Sequence, residues 1–399
     1  MGHQSRIAQP RAANPLKLLH VVSSYLPAMR YGGTIVSVHG LCRALAARGH
    51  DVHVYTTSVD GPKDSAVAHN EAVDVDGVKV WYFRSQSLRR IYYAPGLRGA
   101  LRESAGRFDV IHAHAIYLWP LWTAAREARR AGVPYVISPR GMLEKELIER
   151  KSAIWKAALI GFVERPNLER AAAIHVTSER EAAQAEAFGF RLRRVVEIPN
   201  GVDLGRDDGS TSPAIAAAIG GAPYVLFLGR INWKKGLDRL IAAMAHAPGI
   251  RLLVAGNDEE AYRAALDGIA KRYGVADRVV FTGPVHGGDK TALIDHARAL
   301  VLTSYSENFG NVVLEAMAAG RPVIVSREVG LAALVEASGS GIVTDGSPEH
   351  LGGSIVSLAG DQAKRDSMGR NGRAAAARYS WDGVAAQMES LYESIRGRG

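Results

Sequence analysis

The sequence predicts an α/β protein made of two doubly wound domains, each a mostly parallel sheet with helices on both faces. Three observations predict it. Apolar runs of strand length alternate with stretches of helical periodicity along most of the chain. The alternation restarts after a segment rich in Gly, Asp, Ser and Pro, from Asn200 to Pro223. The 399 residues, 47% hydrophobic and 22% charged, give either half enough apolar surface for its own core.

The first strand is the buried run Lys17 to Val22. A glycine pair follows, and Ile35 to Arg48 then has helical spacing and stops at Gly49, a natural C-terminal glycine. Strands are predicted at Asp51 to Thr56, Val78 to Phe83, Val110 to His114, Pro134 to Ser138, Ala173 to Thr177 and Val195 to Ile198. Leu121 to Ala131 and Glu179 to Phe188 read as helices between them. In the second half the strands are Tyr224 to Leu228, Arg251 to Ala255, Arg278 to Thr282, Ala299 to Leu302, Pro322 to Val325 and Gly341 to Val343. Leu237 to Ala245 and Asn311 to Ala319 are the clearest helices there. Residues 1–15 read as a disordered leader, 16–200 and 201–378 as the two domains, and 379–399 as a helix crossing back to the first domain. The site is expected in a cleft between the domains.

Composition excludes several classes. One cysteine, Cys42, rules out an intramolecular disulfide and any cysteine-built metal centre, and it reads as a small buried helix residue. No run of 18 apolar residues spans a bilayer, and the N-terminal segment has no apolar core of a secretory signal, so a cytoplasmic protein is expected. The net charge of +9 is lopsided: residues 1–200 hold 28 Lys and Arg against 18 Asp and Glu, and residues 201–399 hold 21 against 22. The first half thus suits an anionic partner, or is a soluble basic face.

Four constellations can carry chemistry. Gly32 and Gly33 sit between a strand and a helix, where backbone N–H groups approach a phosphate, although a glycine pair also makes a plain turn. Gly229-Arg230 and Lys234-Lys235-Gly236 follow a strand end, and a planar guanidinium with a lysine five residues on can clamp a diphosphate. Ser306-Glu307-Asn308-Phe309-Gly310 leads into a helix carrying Glu315, and carboxylates there can take sugar hydroxyls. His112 and His114 point to one face of a strand, with no third His or carboxylate at a spacing that completes a zinc site. Asp74-Val75-Asp76 reads as a hairpin turn before Gly77 rather than a metal motif.

In this order the motifs resemble the retaining glycosyltransferases of family 4, which have the GT-B fold, from about Lys17 to Tyr392. SENFGNVVLEAMAAGRPVIVS (Ser306 to Ser326) is similar to that family's Glu-x7-Glu motif, GRINWKKG to its diphosphate loop, and IPNGVD (Ile198 to Asp203) to the entry of its donor domain. The resemblance implies that Arg230 and Lys235 hold the donor diphosphate and stabilise the leaving charge. It implies that Gly33, beside Gly32, meets a phosphate, and that Glu315 takes ribose hydroxyls. Glu307 would hold the donor sugar, with the backbone of Asn308, Phe309 and Gly310. His114 rather than His112 would contact the sugar, because the family's His is the second of such a pair. Trp233-Lys234 stands where the family often has Pro-Glu, which bears on the loop's shape.

The implied activity is metal-independent, cofactor-free transfer with retention, from a nucleotide sugar to a glycan or lipid-linked saccharide in bacterial polysaccharide assembly. No side chain is an evident covalent nucleophile, so a front-face substitution is implied. Two other classes stay open. A sugar-nucleotide 2-epimerase shares the fold, but Glu307, Glu315 and Lys235 speak against it. A nucleic-acid-binding protein would suit the basic half, but recognition-helix and stacking motifs are missing. Glu144 to Arg165 combines Lys145, Arg150, Lys151 and Lys156 with apolar residues including Trp155 and Phe162. It reads either as a core-facing helix with solvated lysines or as a basic amphipathic helix on the anionic inner leaflet of the cytoplasmic membrane.

Overall fold

The computed structural model describes residues 14–143, 159–205, 209–258 and 260–397. Residues 1–13 of the expected leader 1–15, and residues 144–158 of the basic stretch Glu144 to Arg165, lie outside them. The chain divides into two units, Met1–Gly201 with Trp381–Gly399, and Val202–Ser380.

In the first unit the sheet runs, edge to edge, Val195–Glu197, Ala173–Val176, Tyr135–Ser138, Val110–His114, Lys17–Ser24, Asp51–Thr57, Val78–Phe83 and Ala72–Val75. The described pairs are parallel except the last, where Ala72–Val75 lies antiparallel to Val78–Phe83. That edge strand is absent from the sequence reading because alternating small and acidic residues lack a strand's apolar signature. Asp76 and Gly77 turn the hairpin with φ of 53° and 81°, and Asp74 Oδ1 accepts the Gly77 N–H at 3.1 Å. The expected Asp-x-Asp segment is therefore the end of a strand and a turn.

Alternation along Lys17–Ser24 sends Leu18 and Val22 to one face and Leu19 and Val21 to the other. The first face packs on helix Gly33–Ala47 and on helix Trp381–Ile395. The second packs on Pro95–Ser104 and Trp119–Ala131. Cys42 is fully buried on the first of these helices. The C-terminal helix is anchored by Arg48, whose guanidinium lies 2.7 Å from Glu389 Oε2 and 3.0 Å from Asp382 Oδ1.

The second unit's sheet runs Val279–Gly283, Arg251–Ala255, Tyr224–Leu228, Leu300–Leu302, Val323–Ser326 and Gly341–Thr344, with all pairs parallel. The chain runs outward from Tyr224–Leu228 to the edge strand Val279–Gly283 and then crosses back to Leu300–Leu302 on the other side of Tyr224–Leu228, so the order reverses there, which is where such sheets bind ligands. Within the joining segment, Pro213–Ile219 is helical, capped by Ser212, whose side chain accepts from Ile215 N. The Gly, Asp, Ser and Pro content that marks the join between the halves masks this helix, whose local signal is Pro at the first helical position after a Ser cap.

Candidate functional site

The loops after the second unit's strands are laced together by backbone contacts. Gly229 N donates to Ala255 O at 3.0 Å, Ile231 N to Asn257 O at 2.9 Å and Gly256 N to Gly283 O at 2.9 Å. A Cβ on Gly256 would stand 1.7 Å from Gly229 O, so only glycine allows this approach. Arg230 therefore leaves the strand end on a fixed backbone.

The chain then makes a short turn, Trp233–Lys235, and Gly236 adopts φ of 63°. Its Cβ would meet Thr303 O at 2.0 Å. Thr303 Oγ1 donates to Gly236 O at 2.9 Å, and Tyr305 N to Lys234 O at 2.7 Å. These bonds fasten the Arg230–Gly236 loop to the loop after strand Leu300–Leu302. The side chains complete the junction: Lys235 Nζ pairs with Glu307 Oε2. Two predicted site residues, 72 positions apart in the chain, thus meet directly.

The segment Ser306–Gly310 is held from its other side. Glu307 N donates to Glu328 O, Gly330 N to Glu307 O and Leu331 N to Phe309 O, at 2.9 to 3.1 Å. Phe309 is buried, and Gly310 turns into helix Asn311–Ala318 without a side-chain cap. A helix start without a side-chain cap is the kind of place where backbone N–H groups meet an anionic acceptor. Glu315 lies one turn in, with Lys290 Nζ 2.8 Å from its Oε2. Lys290 is a neighbour the sequence reading did not name, since helix Gly287–His296 has no motif.

In the first unit, Gly32 has φ of 62° and Gly33 begins helix Gly33–Ala47, again without a side-chain cap. His112 and His114 do share a sheet face, with ring centroids 4.1 Å apart. The fold adds His20 from the adjacent strand, in register with His112. Ligand-capable atoms of His20, His112 and His114 lie within 4.8 Å of one another, so the third imidazole that chain spacing did not offer comes from strand order.

The proton pattern of this buried cluster follows from its ends. His175 Nε2 bonds Ile198 O at 2.8 Å, and a carbonyl only accepts, so that nitrogen carries the hydrogen. Burial pushes the His175 pKa down to about 3, so Nδ1 is bare and accepts from Ser138 Oγ at 2.7 Å. Ser138 Oγ then accepts from His112 Nε2, and His112 Nδ1 accepts from Tyr392 OH, both at 2.7 Å. The second chain starts at Arg140, which only donates. Its Nη2 lies 3.2 Å from His114 Nδ1, and its Nη1 bonds Asn200 Oδ1 at 2.9 Å. His114 Nε2–H therefore donates to His20 Nδ1 at 3.0 Å. His20, pushed down to about 3 by burial and the Arg140 charge, is left with a buried Nε2–H and no partner among the described residues. Both ring nitrogens of His114 are occupied. Arg140 is the residue the sequence reading missed; only its place after a strand could have marked it.

The comparisons agree with this architecture. Residues 211–375 match the family model Glycosyl transferases group 1, and residues 32–201 match the Glycosyl transferase 4-like domain. The chain is 31% identical to a D-inositol 3-phosphate glycosyltransferase of Segniliparus rotundus, over 92% of this chain and 85% of that protein. It is 29% identical to one of Xylanimonas cellulosilytica, over 92% and 93%. Among solved structures, the Anabaena protein HepE in complex with UDP and glucose superposes with a TM-score of 0.76 at 23% identity, over 95% of this chain and 100% of that one. A sucrose-phosphate synthase from Thermosynechococcus elongatus gives 0.72 at 24%, over 95% and 99%. A relative above 30% identity along nearly the whole chain, a family model on each half and a fold of two Rossmann-like units together show that the chain belongs to glycosyltransferase family 4, the group 1 glycosyl transferases of GT-B fold, and is a glycosyltransferase.

Proposed function

We propose that the chain transfers a sugar, with retention of anomeric configuration, from a nucleotide-sugar donor to an acceptor hydroxyl. The observation that carries this is the Lys235–Glu307 pair, which joins the expected diphosphate loop to the expected sugar loop. Arg230 and Lys235 bind the diphosphate and stabilise the charge that develops as the nucleotide leaves. Glu307 and the backbone of Asn308, Phe309 and Gly310 hold the sugar and its phosphate, Glu315 takes the ribose hydroxyls, and the Gly32–Gly33 turn meets a phosphate oxygen. The departing phosphate accepts the acceptor hydroxyl's proton, so no side-chain nucleophile is needed. Arg230 and Lys235 supply the positive charge that a metal would otherwise provide. Activity is expected to persist in excess chelator, and loss that Mg²⁺ or Mn²⁺ restores would contradict metal independence. The donor is proposed to be a UDP sugar, because the HepE complexes hold UDP and UDP-glucose.

The acceptor is proposed to be a glycan or lipid-linked saccharide of polysaccharide assembly, met by a cytoplasmic enzyme at the anionic inner leaflet. Co-sedimentation with anionic but not neutral vesicles, lost at high salt, is the expected sign of that attachment. A second reading is a small polyol phosphate. It is favoured by the two relatives named as D-inositol 3-phosphate glycosyltransferases and by the basic first half.

The test is a thermal-shift screen of UDP-, GDP- and ADP-sugars, followed by NMR of the product formed with each acceptor class. An α-linked donor should give an α-linked product. A β-linked product contradicts retention, and an epimerised nucleotide sugar formed without acceptor contradicts transfer.

A further inference from the structure

Arg140 stands just beyond the carboxyl end of strand Tyr135–Ser138 with φ of 56°, in the left-handed region that a side-chain-bearing residue adopts only under strain. Gly141 continues the turn at φ of 73°, and its N–H is held by Glu181 Oε1 at 2.7 Å. The neighbouring loop after strand Val110–His114 carries two more such residues, Ala115 at 69° and Tyr117 at 64°. Backbone strain in side-chain-bearing residues thus gathers where a doubly wound sheet binds its ligands.

The guanidinium is equally unusual. Among the described residues no carboxylate forms an ion pair with it, and its two hydrogen-bond partners, Asn200 and the bare Nδ1 of His114, are neutral. The acidic group that bears on it, Glu181, has both oxygens engaged by Gly141 N, Thr177 N and Thr177 Oγ1. Arg140 Nε is a buried donor without a partner. A charge removed from water and left without a counterion is costly unless something supplies one. The chain around it is arranged to present it: the Ile198–His175–Ser138–His112–Tyr392 series fixes the neighbouring rings, and His114 can only accept from Arg140. Guanidinium groups with N–H donors left over bind phosphate oxygens in a fork.

We propose that Arg140 binds a phosphate group of the acceptor, with His114 and Asn200 as the residues that position it. This rests on the second reading above, glycosyl transfer to a phosphate-bearing acceptor. The imidazole expected to touch the sugar is then a positioning residue, and the guanidinium beside it makes the contact. A phosphate could also come from the donor, so the test separates the two sources.

The full-length protein is titrated at low salt with inorganic phosphate, followed by ³¹P NMR, and separately with UDP, followed by calorimetry. Arg140→Lys keeps the charge but not the fork, and Lys235→Gln disables the donor loop. Phosphate affinity is expected to fall at least tenfold in Arg140→Lys and to persist in Lys235→Gln, with UDP affinity changing in the opposite pattern. In the wild type, the ¹⁵N-arginine side-chain signal absent from Arg140→Lys is expected to move on adding phosphate. Phosphate binding that is unchanged in Arg140→Lys, or lost only in Lys235→Gln, overturns the proposal, as does a stationary Arg140 signal. Unchanged UDP affinity in Lys235→Gln would instead overturn the donor-loop reading and leave the Arg140 result standing.

Discussion

Lys290 Nζ lies 2.8 Å from Glu315 Oε2, so the carboxylate proposed to receive ribose hydroxyls is already oriented by a lysine from a neighbouring helix. Lys290→Gln should raise the KM for donor several-fold and leave kcat within about twofold, because the lost contact is made equally in ground and transition states. An unchanged KM would show that the pair is only a surface ion pair. A different signature comes from His20, His112, His114 and His175, all held neutral by burial, His20 and His175 down to about 3. In the unfolded chain imidazoles take protons near pH 6.5. The unfolded state therefore binds more protons below that pH, and stability falls as pH drops from about 6.5 towards 3, by up to about 1.4 kcal/mol per pH unit for each imidazole. Urea unfolding at pH 7, 6 and 5 should show the loss, and His175→Asn should reduce the slope by about one proton. Stability that is flat over this range would contradict the neutral cluster. Glu164 works with the opposite sign. Its Oε1 accepts from Tyr117 N and Trp122 Nε1, and burial pushes its pKa up to about 7. The stability it contributes is full below about 4.5 and lost as pH rises through 7, so Glu164→Gln should flatten the profile on the alkaline side.

At the scale of elements, the site depends on how strand-end loops touch. Gly236→Ala would both strain a left-handed residue and drive a methyl into Thr303 O. It should lower activity at least tenfold and cost about 1–3 kcal/mol, read by chemical denaturation beside a rate assay. Near-normal values for both would mean that the two loops do not depend on each other. Such loops were partly legible in the sequence. The runs Tyr224–Leu228, Arg251–Ala255 and Val110–His114 are uninterrupted apolar or alternating stretches, and the structure gives them the predicted bounds. The neighbours of each strand were not legible. His20 meets His112 because strand Lys17–Ser24 lies beside Val110–His114, although nearly a hundred residues separate them in the chain. Periodicity reports which face a side chain takes, not which strand lies alongside. Arg140 was hidden for a related reason: its left-handed turn follows from tertiary contacts, and nothing local favours it.

For the molecule as a whole, no helix among the described residues is long and apolar enough to cross a membrane, while Phe162, at the edge of the basic stretch, is 85% exposed. The first unit is closed by the last helix of the chain. Trp381 lies where a Cβ on Gly40 would fall, 2.3 Å from its ring, and Tyr392 reaches the histidine cluster from the same helix. Trp381→Ala should cost about 3–5 kcal/mol, because a large buried aromatic leaves a cavity against a glycine that cannot fill it. A change within about 1 kcal/mol on urea unfolding would show that the first unit stands without that helix. The central claim concerns the second unit's loops, and the full-length enzyme tests it. The measurement is the initial rate of nucleotide release from a donor sugar in the presence of acceptor, for the wild type, Lys235→Ala and Lys234→Ala. Loss of a charge-assisted contact that strengthens in the transition state predicts a fall of about 10²–10³ for Lys235→Ala and little change for Lys234→Ala. Equal rates for Lys235→Ala and the wild type would contradict the account.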